Sequence, residues 1–114
     1  MDHFSVTAAH STFEDDSPAI AVKLSCSAYE LNVWLRPSEV ALLARVRKTP
    51  WEEGAVRAGT SAGANVFWSC DDDEVLVAVG HDDETWDFGV TISLKDFEQV
   101  LDEIQRELRE PIPP

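Results

Sequence analysis

The feature that most constrains this chain is a series of short runs in which apolar and polar residues alternate, separated by turns of only a few residues. From Ala19 onward, Ile20, Val22, Leu24 and Cys26 share one face while Lys23 and Ser25 take the other, the period-two signature of a strand with one wet face. Leu31, Val33 and Leu35 continue the pattern against Glu30, Asn32 and Trp34, so the two runs form a hairpin across Ser27-Ala28. Three more follow in quick succession. Ala64 to Cys70 is aromatic and compact, Val75 to Gly80 is apolar on both faces and therefore central, and Trp86 to Leu94 alternates Trp86, Phe88, Val90, Ile92 and Leu94 against Asp87, Gly89, Thr91 and Ser93. Ala55 to Gly59 adds a short strand, closed by the turn Thr60-Ser61-Ala62-Gly63. Residues 1–18 carry the weakest pattern, Phe4, Val6 and Ala8 followed by Ser, acids and Pro18. They hold at most one edge strand and are where poor order is expected.

Two helices punctuate this series. Arg36-Pro37-Ser38-Glu39 reads as a helix start, with Pro tolerated in the first turn and Glu39 placed near the positive end of the helix dipole. Val40, Leu42, Leu43 and Val46 supply its apolar stripe, and the helix should end before Pro50. The clearest element is the last, where Phe97, Val100, Leu101, Ile104 and Leu108 recur at helical spacing, Ser93 and Asp96 fit a Ser-x-x-Asp cap, and Pro111, Pro113 and Pro114 follow. The expected fold is α+β: one domain over 1–114, with an antiparallel sheet of about five to six strands and two helices packed on one face.

The chain has 114 residues, 44% of them hydrophobic, with nine Lys and Arg against twenty-two Asp and Glu for a net charge of −13. Hydrophobic content of that order supports a folded core, so the acid must sit on a folded surface. A surface this negative repels phosphate backbones and anionic lipids, which excludes direct, non-specific nucleic-acid or membrane binding as the primary role. No apolar run approaches the roughly 20 residues that span a bilayer, and the start of the sequence lacks a basic segment followed by an apolar stretch, so a cytoplasmic protein is expected. Cys26 and Cys70 are expected as buried free thiols, since two cysteines make no disulfide framework.

Asp71, Asp72, Asp73, Glu74, Asp82, Asp83, Glu84 and Asp87 place eight carboxylates between 71 and 94 with no Lys or Arg. Residues 36–57, in contrast, carry five basic side chains against three acids. The two acidic clusters lie at opposite ends of the Val75 to Gly80 strand, on the order of 23 Å apart at the usual rise per residue, too far for one metal cage. The EF-hand pattern fails, because Asp71 and Asp73 are followed by Val75 and Leu76. His81-Asp82-Asp83 has no second ligand group at a recognisable spacing. Neither a metal nor a cofactor is expected. Catalysis has no motif either: acids in turns stay ionised, Cys70 beside Asp71 is a poor nucleophile, and Gly59-Thr-Ser-Ala-Gly63 is neither a nucleophile elbow nor a phosphate loop. Binding is better supported. Trp34, Trp51, Trp68 and Trp86 fall beside strand ends or loops, and aromatics ringed by charge are typical of binding hot spots. Trp68 and Trp86 are assigned to the core, with Trp86 also a candidate anchor inside the rim of His81, Asp82, Asp83, Glu84 and Asp87; Trp34 and Trp51 are the exposed candidates.

The acidity, the single small α+β domain, the hairpin series from Ala64-Asn-Val-Phe-Trp-Ser-Cys70 to Gly80-His-Asp-Asp-Glu-Thr-Trp-Asp87 and the closing amphipathic helix resemble the small acidic immunity proteins with which bacteria neutralise polymorphic or contact-delivered toxins. The resemblance implies a stoichiometric, non-enzymatic inhibitor that blocks a toxin's active site or substrate access, as a monomer or homodimer. The implied partner is a toxin or effector with a basic surface. The alternative is a secretion-system effector chaperone or adaptor.

Overall fold

Alternation, turn chemistry and two breaks in register produce the sheet that the sequence predicts. The computed structural model describes residues 4–48, 55–81 and 86–109, with the side chain of residue 86 outside that description. Seven strands form a single antiparallel sheet in chain order: β1 (Ser5–Thr12), β2 (Pro18–Ser25), β3 (Glu30–Leu35), β4 (Val56–Ser61), β5 (Ala64–Asp71), β6 (Glu74–Gly80) and β7 (Trp86–Ser93). Helix α1 (Pro37–Leu43) and a 3₁₀ turn (Val46–Lys48) separate β3 from β4, and α2 (Leu94–Arg109) follows β7. The expected count of five to six strands is thus low by at least one. The added strand is β1, whose eight residues pair fully with β2 although only Val6 among them is buried. An edge strand with one apolar anchor gives little periodicity to read.

Two local features account for the remaining differences. Gly59 does not end β4. Its φ of +88° marks a break in the β4–β5 register between Arg57 and Thr60, after which pairing resumes and Thr60 and Ser61 stay in the strand. The turn is therefore only Ala62 (φ +51°) and Gly63 (φ +86°), both left-handed as a two-residue type I′ hairpin requires. The first helix is likewise shorter than expected. After Leu43 the chain tightens through bonds from the Arg45 N–H to the Leu42 carbonyl and from the Lys48 N–H to the Arg45 carbonyl, both 3.0 Å, and the 3₁₀ turn carries Val46 to full burial beside β5. At the other helix the expected cap is present, the Ser93 hydroxyl accepting the Asp96 N–H at 3.0 Å.

The core is one continuous cluster. Ile20, Val22, Leu24, Leu31, Val33, Leu35, Val66, Trp68, Cys70, Val75, Val77 and Ile92 join Val40, Leu43 and Val46 and the α2 stripe Phe97, Val100 and Ile104. Trp68 and Phe97 stack tilted at 5.8 Å between centroids, and the Trp68 indole N–H donates to the Ala58 carbonyl at 2.9 Å. That bond satisfies the polar atom of a side chain only 1% exposed. Phe4, Cys26, Ala28 and Tyr29 border the same cavity of about 270 Å³ as Thr91, Ile92, Ser93 and Asp96, so the sheet curls until the start of β1 and the end of β7 approach each other.

Helix α2 packs along β1 and also reaches β6 and β7. At its far end the Glu107 carboxylate accepts the backbone N–H of His10 at 3.2 Å, and the His10 ring Nε2 lies 2.9 Å from the Glu107 carbonyl. A carbonyl only accepts, so the ring proton resides on Nε2. An outward-facing donor of edge strand β1 is thereby occupied from within the chain, one of the ways that sheet edges are kept from pairing with other molecules.

The β3–β4 seam is paired at a single position, Trp34 with Thr60, and Glu39 reinforces it. Its Oε1 accepts the Arg36 N–H at 2.8 Å and its Oε2 the Gly59 N–H at 3.1 Å, tying the start of α1 to β4. A Cβ on Gly59 would meet Val33 Cγ1 at 2.7 Å and Leu35 Cδ2 at 2.9 Å, whereas one on Gly63 meets nothing within 4 Å. Gly59→Ala should therefore lose about 2–5 kcal/mol in chemical denaturation, combining left-handed strain with overpacking, and Gly63→Ala only about 1–2 kcal/mol from strain alone. Equal losses at the two positions would show that Val33 and Leu35 yield freely.

Candidate functional site

Strand pairing sorts the sheet residues into two faces. The positions alternate to the core are Ala9, Ala21, Trp34, Thr60, Asn65 and Gly80, which face one another in register across β1 to β6, and beside them the rows Arg57–Phe67–Ala78–Gly89 and Ser69–Leu76–Thr91. This outer face is built mostly from small or polar residues around a few large ones. Phe67 is 9% exposed between Arg57 and Ala78, and Arg57 donates to the Asn65 side-chain carbonyl at 2.9 Å.

Trp34 is half-buried on this face. Its cross-strand neighbours are Ala21 and Thr60, too short to cover an indole. The β1–β2 hairpin brings Phe13 against it, the rings 6.4 Å apart and inclined at 51°. That hairpin is a tight turn followed by one left-handed residue: the Asp16 N–H donates to the Phe13 carbonyl, the Phe13 N–H to the Ser17 carbonyl, both at 2.9 Å, and Asp16 has φ +67°. Asp15 Oδ1 accepts both the Ser17 hydroxyl and the Ser17 N–H, at 2.5 and 3.0 Å. These bonds, hydroxyl first, hold the Asp15 carboxyl below the usual aspartate range, with the nearby Arg36 charge adding to them. Thr12, Phe13, Glu14, Asp15, Trp34, Thr60, Ala62 and Gly63 line an open groove of about 600 Å³, within the roughly 300–1,000 Å³ of ligand sites. At its rim the Arg36 guanidinium lies 4.6 Å over the Phe13 ring and donates to the Ser17 hydroxyl at 3.3 Å.

The sequence-predicted acids fall elsewhere on the molecule. Asp71, Asp72, Asp73 and Glu74 form the exposed β5–β6 turn, with Asp72 left-handed at φ +54°, a conformation that Asp tolerates. Ser69, Asp71, Glu74, Leu76 and Thr91 line a second outer-face groove of about 400 Å³ there. His81 is exposed just after β6, and Asp87 is exposed on β7. Trp86 is placed through its backbone, paired with Gly80 at the far end of β6 from Glu74. Trp51, Asp82, Asp83 and Glu84 lie outside the described residues, as does the Trp86 side chain. The structure thus brings Trp34 together with Phe13, Glu14 and Asp15, which sequence reasoning did not single out, and not with the β5–β6 acids. The signal for the missed residues was an aromatic directly before Glu-Asp-Asp-Ser-Pro, a turn sequence between two alternating runs.

The described residues include no grouping of three or more His, Cys, Asp or Glu side chains able to hold a metal. Both cysteines are free, Cys70 buried and Cys26 half-buried. Burial pushes the Cys70 thiol up, and the Asp71 and Asp72 charges add to it. Burial likewise raises the Tyr29 phenol, helped by Cys26 and Asp96. Comparison with known proteins finds no match: no family model fits the chain, and neither a curated protein nor a solved structure does.

A raised thiol pKa means less thiolate at a given pH. Cys70 should therefore resist iodoacetamide at pH 8 in the folded protein and react once guanidinium unfolds it, as read by peptide mass. Labelling of folded protein at the rate of a free cysteine peptide would place Cys70 in an accessible position.

Proposed function

We propose that this chain is a non-enzymatic, acidic protein-binding domain of the immunity type, which neutralises a cognate bacterial toxin by covering its active site or substrate path. In this reading both helices pack on the inner face of the sheet, the outer face is the working surface, and the protein acts in the cytoplasm as a monomer or homodimer. The observation that carries the proposal is the exposure of Asp71, Asp72, Asp73 and Glu74 on one turn, in a segment with eight carboxylates and no cation. Such a turn attracts basic surfaces and repels other polyanions. Asp82, Asp83, Glu84, His81, Asp87, Trp86 and Trp51 belong to the same proposed contact set, with the half-buried Trp34 as a further aromatic.

The decisive experiment is co-expression with the product of the gene immediately upstream, which the reading requires to be toxic when expressed alone. Restored growth together with a stable one-to-one complex supports the reading, and continued killing with no complex refutes it. A partner held only as an unfolded segment would instead identify an effector chaperone. Within a complex, the triple variant Asp71→Asn, Asp73→Asn, Glu74→Gln, which leaves the left-handed Asp72 intact, should slow association by about tenfold at low salt and flatten its salt dependence while leaving Tm nearly unchanged. Charge reversal at Asp82, Asp83 and Glu84 should act in the same direction. Unaltered association rates in both variants would remove the acidic turns from the interface.

A further inference from the structure

The groove between Trp34 and the β1–β2 hairpin has a shape and charge that single out one kind of occupant. Its floor is the indole of Trp34, flanked across the sheet by Ala21 and Thr60. Phe13 forms one wall and the Ala62-Gly63 turn the other, and the space beside Gly63 is open to at least 4 Å. Glu14 and Asp15 stand on its edge, both exposed. With Asp16, the hairpin holds three consecutive acids, and the Arg36 charge acts on Asp15.

The Phe13 ring already carries a cation: Arg36 lies 4.6 Å from its centroid, anchored by Ser17. The same hairpin therefore stacks a guanidinium against an aromatic face and holds it with a polar oxygen. Trp34 offers a second, larger face of the kind that binds cations most strongly.

We infer that this groove is a recognition pocket for an arginine side chain of a protein partner, with the guanidinium stacked on Trp34 and paired with the Glu14 and Asp15 carboxylates. Arginine suits it better than lysine, because a planar guanidinium can stack and bond in its own plane at once. The open groove admits a side chain projecting from a partner's surface without rearranging the sheet. Asp15 is already set to receive a cation, since Ser17 fixes its Oδ1 and the same bonds stabilise its charge. The inference rests on the proposed binding of a basic protein, and it adds a second contact point, separate from the β5–β6 acids.

The test is a titration of the full chain with acetyl-Gly-Arg-Gly-amide, its citrulline counterpart and its lysine counterpart, followed through backbone amide and indole N–H resonances. The arginine peptide should shift the Trp34 indole N–H and the Asp15, Thr60 and Gly63 amides saturably. The neutral citrulline isostere should bind about tenfold more weakly, with lysine between them. Trp34→Leu should abolish the shifts. Asp15→Asn, which can still accept from Ser17, should weaken binding about fivefold without altering the fold. Equal binding of arginine and citrulline, or shifts confined to residues 71–74, would overturn the inference. If the wild type neutralises a basic toxin and Trp34→Leu does so with the same Kd, the pocket is wrong and the binding function stands. If the peptide binds as described but no basic protein is neutralised, the pocket stands and the immunity reading falls.

Discussion

The apolar stripe of α2 is the contact on which the rest of the arrangement depends. A seven-stranded meander has one apolar face and two edges, and a curled sheet cannot bury that face by itself. Phe97, Val100 and Ile104 are fully buried in the same cluster as strand residues from β1 to β7, and Phe97 meets Trp68 at the centre. The helix is also tied at both ends, through the Leu94 N–H to the Asp73 carbonyl at 2.6 Å and through Glu107 to His10. The first tie sets the acidic β5–β6 turn against the start of α2.

The sheet divides its work between its two sides. Inward positions from β2 to β6 are mostly Val, Leu and Ile with Trp68 among them, packed to low exposure, while Phe88 on β7 is 41% exposed; no polar or charged residue is buried among the described residues. Outward positions are mostly Ala, Thr, Ser, Asn and Gly, with Lys23, Glu30, Trp34, Arg57, Phe67 and Leu76 set among them. Trp34 lies outside the buried cluster that α2 covers, although its ring packs on Phe13, so binding by a Trp34 variant is read beside its stability. Glu39 is the exception: with one carboxylate it closes the first turn of α1 and bridges to Gly59, so the acids of this chain are not interchangeable.

Much of this was legible in the sequence, for physical reasons that differ by element. The strands at 18–25, 30–35 and 74–80 alternate or run apolar because two or more neighbours bury them, and α2 announces itself because its stripe faces the whole core. The antiparallel sheet interrupted by one helix and closed by another is found as expected, with three strands before the first helix where the alternation marked two. What escaped reading depends on contacts distant in sequence. β1 is held by β2 and by α2 some 97 positions away at Glu107, which leaves no local period. β4 continues past Gly59 only because that glycine adopts φ +88° against Val33 and Leu35. The candidate site shows the same split. Trp34 was identifiable because alternation assigned it to the wet face, but Phe13 and Asp15 join it only through the β1–β2 hairpin, in the segment with the weakest pattern.

The distribution of charge bears on why the acid is there. Among the described residues the ion pairs are Lys23 with Glu30, Arg47 with Glu98, Arg106 with Glu103 and, when His10 is protonated, His10 with Glu107. None of them involves residues 71–74, and exposed pairs of this kind contribute at most about 1 kcal/mol each. Carboxylates massed on one turn repel one another and raise the free energy of the folded chain relative to a neutral turn, because Asn and Gly serve turn geometry equally well without charge. Solubility calls for net charge but not for its concentration in one segment that lacks every cation. A partner of opposite sign, as proposed above, would account for it, since such a partner relieves on binding the repulsion that the free protein retains.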